Sequence, residues 1–142
     1  MISRGCAAGF VVIVFTSVLT IAAGCGTTES TPTTEVQRAK AGTLDLVLLA
    51  DRDALAQGTG TSVLEFRASD QKLVDVGDVK VTATMPMAGM APMIGVVSAH
   101  PTGVPGRYTL DSDLGMAGSW RIDVEWNGPA GQGSATLPSP VR

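Results

Sequence analysis

From residue 43 onward, apolar side chains recur at every second position. Leu44, Leu46 and Leu48 alternate with Thr43, Asp45 and Val47. Such alternation places one face of an extended chain against a core and predicts a strand. Residues 62–68, with Val63, Leu64 and Phe66, predict a second strand. Residues 78–85 predict a third, with Val79, Val81 and Ala83 inward and Lys80, Thr82 and Thr84 outward. Residues 94–99 and 107–113 repeat the pattern. Trp120, Ile122, Val124 and Trp126 alternate with Arg121, Asp123 and Glu125, the clearest strand in the chain. A last strand carries Ala135 and Leu137 and is expected to stop at Pro138. Between these runs lie turn-forming stretches: 51–60 with a helical turn around Ala54 and Leu55, Asp70-Gln71, 100–106, 115–118 and 127–131. Seven short strands without a convincing helix predict an antiparallel β-sandwich of immunoglobulin-like type. Both tryptophans and Tyr108 are expected in its core, because large rings fill a small sandwich.

One stretch does not follow the period. Met85-Pro86-Met87-Ala88-Gly89-Met90-Ala91-Pro92-Met93 packs four of the six methionines into nine residues. Its prolines and glycine exclude a regular helix or a central strand. Methionine fills irregular apolar gaps, and that is one reading of the run. The other is metal binding, since thioethers are soft neutral donors that select cuprous copper over harder cations. The strand order separates the candidates. In an antiparallel sandwich each connection sends the chain to the opposite end. The methionine loop, with Met87, Met90 and Met93 projecting from its irregular part, and the loop carrying Met116 are therefore expected at one pole. His100 lies about six residues down a strand, roughly 20 Å away at ~3.3 Å per residue. The candidate ligands are Met87, Met90 and Met93, with Met116 as a fourth; Met85 continues the inward series of its strand and is a further candidate. Without histidine or thiolate the set does not suit zinc, and the carboxylates are too scattered for calcium.

The first 25 residues change the picture of where this domain sits. Of 142 residues, 44% are hydrophobic, but many of these fall in the nearly unbroken apolar run 7–23 behind Arg4. That is a secretory signal pattern. Its end, Ile21-Ala22-Ala23-Gly24-Cys25, resembles the bacterial lipoprotein signal, which implies that Cys25 is lipidated and becomes the first mature residue. Residues 26–42 are polar, with Val36 the one large apolar side chain, and are expected to be a flexible linker. The domain is then 43–142, held outside the cytoplasm beside a bacterial membrane. Formal net charge is -3, with no basic patch of the kind nucleic acid requires. Cys6 and Cys25 are the only cysteines. The domain therefore has no disulfide framework and no thiol nucleophile.

Enzymatic chemistry finds little support. The single histidine has no Ser or Asp constellation around it. Asp111 and Asp113 share a strand face but flank no cleft, and Gly58-Thr59-Gly60 is too short for a phosphate loop.

The methionine run, followed by Gly106-Arg107-Tyr108 and then Met116-Ala117-Gly118-Ser119-Trp120-Arg121, resembles the YtkA-like domain, a family close to FixH-like proteins. The resemblance covers roughly residues 43–138. It implies an immunoglobulin-like sandwich outside the cytoplasm, associated with copper handling or respiratory-oxidase assembly. The expectation is a membrane-tethered protein that binds cuprous copper transiently, for buffering or delivery to a copper-transport or oxidase-assembly protein. The competing expectation is a non-metal interaction module that uses the methionine loop as an apolar docking surface.

Overall fold

The computed structural model describes residues 31–142. The signal at 1–25, with Cys25, and residues 26–30 of the expected linker lie outside the described residues. Eight strands follow in chain order: β1 Thr34–Ala41, β2 Leu44–Ala50, β3 Gly58–Ala68, β4 Asp78–Met85, β5 Met93–Pro101, β6 Arg107–Leu114, β7 Gly118–Gly128 and β8 Gly131–Val141. All pair antiparallel, in the order β1-β2-β3-β6-β5-β4-β7-β8. β4, β5 and β6 are consecutive neighbours, and β7 returns to lie beside β4, which is a Greek key. The result is the expected all-β immunoglobulin-like sandwich.

β5 joins the two layers. Its first residues pair with β4 (Met85↔Met93, Ala83↔Gly95). From Val96 to Pro101 it pairs instead with β6. The strand thus changes partner at the layer boundary and draws the sheet into a roll. Where the roll nearly closes, Gln37 Nε2 on β1 donates to the Pro138 carbonyl on β8 at 2.7 Å.

The alternation read from the sequence explains the core. Leu46, Leu48, Leu64, Phe66, Leu110, Trp120, Val124 and Leu137 are all buried between the layers. Phe66 stands edge-on to both Trp126 (centroids 5.3 Å apart) and Tyr108 (5.7 Å), the geometry that ring quadrupoles favour. Tyr108 is buried, as expected, and its hydroxyl donates to the Gly77 carbonyl at 2.7 Å.

The structure corrects the reading in five places. Residues 34–41 of the expected linker form β1, so there are eight strands rather than seven. β1 contributes Val36, Ala39 and Ala41 to the core surface, and a two-residue turn at Gly42-Thr43 connects it to β2. A bulge falls between Glu35 and Gln37, which leaves Val36 unpaired and breaks the period that would have revealed the strand. The region around Ala54 and Leu55 is not helical. Leu55 is buried and bridges to Val141, its N–H donating to the Pro140 carbonyl at 2.9 Å. β8 runs through Pro138 and Pro140 to Val141 because β7 is its only strand partner among the described residues, and missing N–H groups are tolerated on such an edge strand. Val47, expected on the polar face, is buried with Leu49 and Val63 in a second, smaller cluster. Met93, expected in the irregular part of the loop, is the first residue of β5.

Candidate metal centre

The methionines gather at the end of the sandwich where β4 ends, β5 begins and β6 turns into β7. Met85 and Met93 face each other across the β4–β5 ladder. Directly opposed residues project to the same side, and both lie half-buried against the edge of the core. The connection between them, residues 86–92, is a loop tightened by a turn in which the Met90 N–H donates to the Met87 carbonyl at 3.4 Å. Gly89 supplies the positive φ (72°) that this turn needs at its third position. The turn lifts Met90 out to 65% exposure, while Met87 stays half-buried.

Met116 reaches the same end from the β6–β7 connection and is 42% exposed. Its loop is held from three sides. The Trp120 indole N–H donates to the Met116 carbonyl at 2.9 Å. Gln57 Nε2 donates to the Gly115 carbonyl at 3.3 Å. The Met85 side chain covers Gly118 so closely that a Cβ there would sit 2.6 Å from its methyl carbon and 3.6 Å from its sulfur. Gly118 also has φ 146°, a conformation that side-chain-bearing residues rarely adopt. Met85 therefore spans from β4 to the start of β7, two residues from Met116. The two methionine loops share one pole, as the strand order predicted.

His100 lies at the other end of β5, seven residues from Met93. It is exposed, and its Nε2 stands 3.6 Å from Asp111 Oδ2. It belongs to a solvated surface pair and not to the methionine pole. Among the described residues, no three His, Cys, Asp or Glu side chains gather closely enough to hold a metal ion. The donors at the pole are thioethers, and a neutral sulfur set fits a soft monovalent ion and no hard divalent one.

Sequence reasoning missed the supports of this pole: Gln57, Gly118 and the indole N–H of Trp120. The Trp120 ring is in the core, as expected, at 1% exposure, and its indole N–H also serves the loop. Ile94 (74% exposed) and Val96 (68%) are further large apolar side chains on the outer face of β5.

The YtkA-like family model matches residues 38–125, from the middle of β1 to the middle of β7. No curated protein matches the sequence. Among solved structures, the Lin-41 filamin domain is similar at 14% identity, with a TM-score of 0.44, over 80% of this chain and 98% of that one.

Proposed function

The chain belongs to the YtkA-like family, and from that premise we propose that it binds cuprous copper at the methionine pole. Met87, Met90, Met93 and Met116 are the ligands in this reading, with Met85 beneath them. The observation that supports it is the packing of Met85 against Gly118, which brings sulfur-bearing segments from two separate connections, β4–β5 and β6–β7, within one side chain of each other. Copper is cargo here. Neutral thioethers hold it modestly and exchange readily with a stronger site, so the role is buffering or delivery and not catalysis. The receiver is a copper-transport or oxidase-assembly protein, the latter in keeping with the family's closeness to FixH-like proteins. Lipidation at Cys25 would keep the domain beside a bacterial membrane. Among the described residues no helix is long and apolar enough to cross one.

The test is anaerobic titration of the protein with cuprous ion, followed by Trp120 fluorescence and by Met methyl resonances. Saturable binding that is lost when Met87, Met90 and Met116 all become Leu supports the reading. Affinity unchanged by that triple substitution overturns it. A second reading is favoured by the exposure of Met90, Met116, Ile94 and Val96: an apolar docking surface that needs no metal. Leucine preserves apolar contact, so docking would survive the triple substitution while copper binding would not.

A further inference from the structure

The thioethers at the pole fall into two classes. Met90 and Met116 are exposed. Met87 is half-buried in its loop, and Met85 and Met93 lie half-buried against the core. Accessible thioethers are oxidised by hydroperoxides. A sulfur lone pair attacks one peroxide oxygen, the O–O bond breaks, and the products are the sulfoxide and water (or the alcohol, from an organic peroxide). Sulfur is oxidised by two electrons and the peroxide is reduced by the same two.

The fold is arranged to survive this at Met90 and Met116. Met116 serves the fold through its backbone carbonyl, which accepts from Trp120. Met90 serves it through its backbone N–H in the turn with Met87. Oxidation of either side chain touches neither bond and adds its oxygen on the solvent side. Met85 instead packs against Gly118, so an oxygen added there has the fold beside it and not open solvent. A sulfoxide replaces a soft sulfur donor with a polar oxygen, which suits cuprous ion poorly.

We propose that Met90 and Met116 are a redox-modification site, converted to sulfoxides by hydroperoxides ahead of Met85 and Met93, and that their oxidation closes the pole to cuprous copper without unfolding the domain. The second half rests on the copper-binding reading above; the first does not. Methionine sulfoxide reductases provide the general route by which such a switch is reset.

The experiment treats the full chain with limiting hydrogen peroxide and locates sulfoxides by fragmentation mass spectrometry. Trypsin places Met85, Met87, Met90 and Met93 on residues 81–107 and Met116 on residues 108–121. Met90 and Met116 should oxidise several-fold faster than Met85 and Met93, with the melting temperature unchanged. Oxidation of Met85 or Met93 at the same rate, or unfolding in step with Met90 and Met116 oxidation, overturns the site. Cuprous titration of the oxidised protein should then show affinity weakened about tenfold or more. Equal affinity before and after oxidation overturns the switch. If the expected oxidation order is found but the untreated protein takes up no copper, the modification site stands and the copper reading falls.

Discussion

The two ends of the sandwich are built on opposite principles. At the end away from the methionines, polar groups are matched and fixed. Phe66 donates its N–H to the Gly106 carbonyl and accepts from the Val74 N–H, both at 2.9 Å. Tyr108 reaches Gly77. Glu65, only 1% exposed, is held between Arg67 and Arg107; its Oε1 accepts from Arg107 Nε at 2.8 Å and its Oε2 from Arg67 Nε at 2.8 Å. At the methionine end the contacts are backbone carbonyls caught by single side chains, and the large apolar groups stand in water. One end ties strands together, while the other leaves soft groups within reach of a ligand. The contrast predicts that substitutions at the tied end cost more stability than those at the open end.

The largest effect should come from removing β1, whose residues 34–41 looked like linker. A chain beginning at residue 43 would lose Val36, Ala39 and Ala41 from the core surface and leave β2 as an unpaired edge. The expected loss is roughly 4 kcal/mol, measured by urea denaturation against a chain beginning at residue 31. A loss near zero would mean that β1 belongs to the tether after all.

Next comes Glu65. Replacing it with Ala leaves two guanidinium groups facing each other beside a buried site, at a cost of about 3 kcal/mol. The group also makes stability depend on pH. Burial acts to raise its pKa, but the hydrogen bonds and charges of Arg67 and Arg107 outweigh burial and hold it below the usual glutamate value. The folded state therefore binds that proton less readily than the unfolded state does. The contribution is complete above the unfolded pKa of about 4.3 and is lost as pH falls through the depressed folded value. Thermal melts between neutral pH and acid should show the wild-type protein losing stability more steeply than Glu65→Gln. Parallel curves would remove Glu65 from the account. Tyr108→Phe should cost about 1.5 kcal/mol, since it strands the Gly77 carbonyl; equilibrium denaturation reads this directly.

Much of this was written in the periodicity. β7 was legible because Trp120, Ile122, Val124 and Trp126 are all inward with no interruption. The shared methionine pole was legible from strand order alone, because antiparallel connections alternate ends. β1 was not legible, since its bulge at Val36 shifts the phase and its other inward residues are as small as alanine. Glu65 was not legible either. Alternation puts it outward, where carboxylates are normally solvated, and one of its partners lies 42 residues away. The contact between Met85 and Gly118 depends on a close approach of β4 to β7, and nothing local to either segment announces it. Local pattern thus reports which face a residue takes, while pairing across the sheet decides what that face meets.

The smallest effects should lie at the open end. Gly118→Ala should cost about 1 kcal/mol, because its φ disfavours a side chain and the Met85 methyl must move aside. The Met85 side chain is flexible and can yield, so the change in melting temperature is modest while the shift of the Met85 methyl resonance is not. Smaller still is the double substitution Met90→Leu with Met116→Leu. Both side chains are exposed, leucine has nearly the same volume, and the loop's hydrogen bonds run through backbone atoms that the substitution leaves in place. Stability should change by less than about 0.5 kcal/mol. A larger loss would mean that these methionines hold the fold together, and the contrast between the ends would disappear. A negligible loss would show that the two sulfurs take no part in holding the fold, as the contrast between the ends requires.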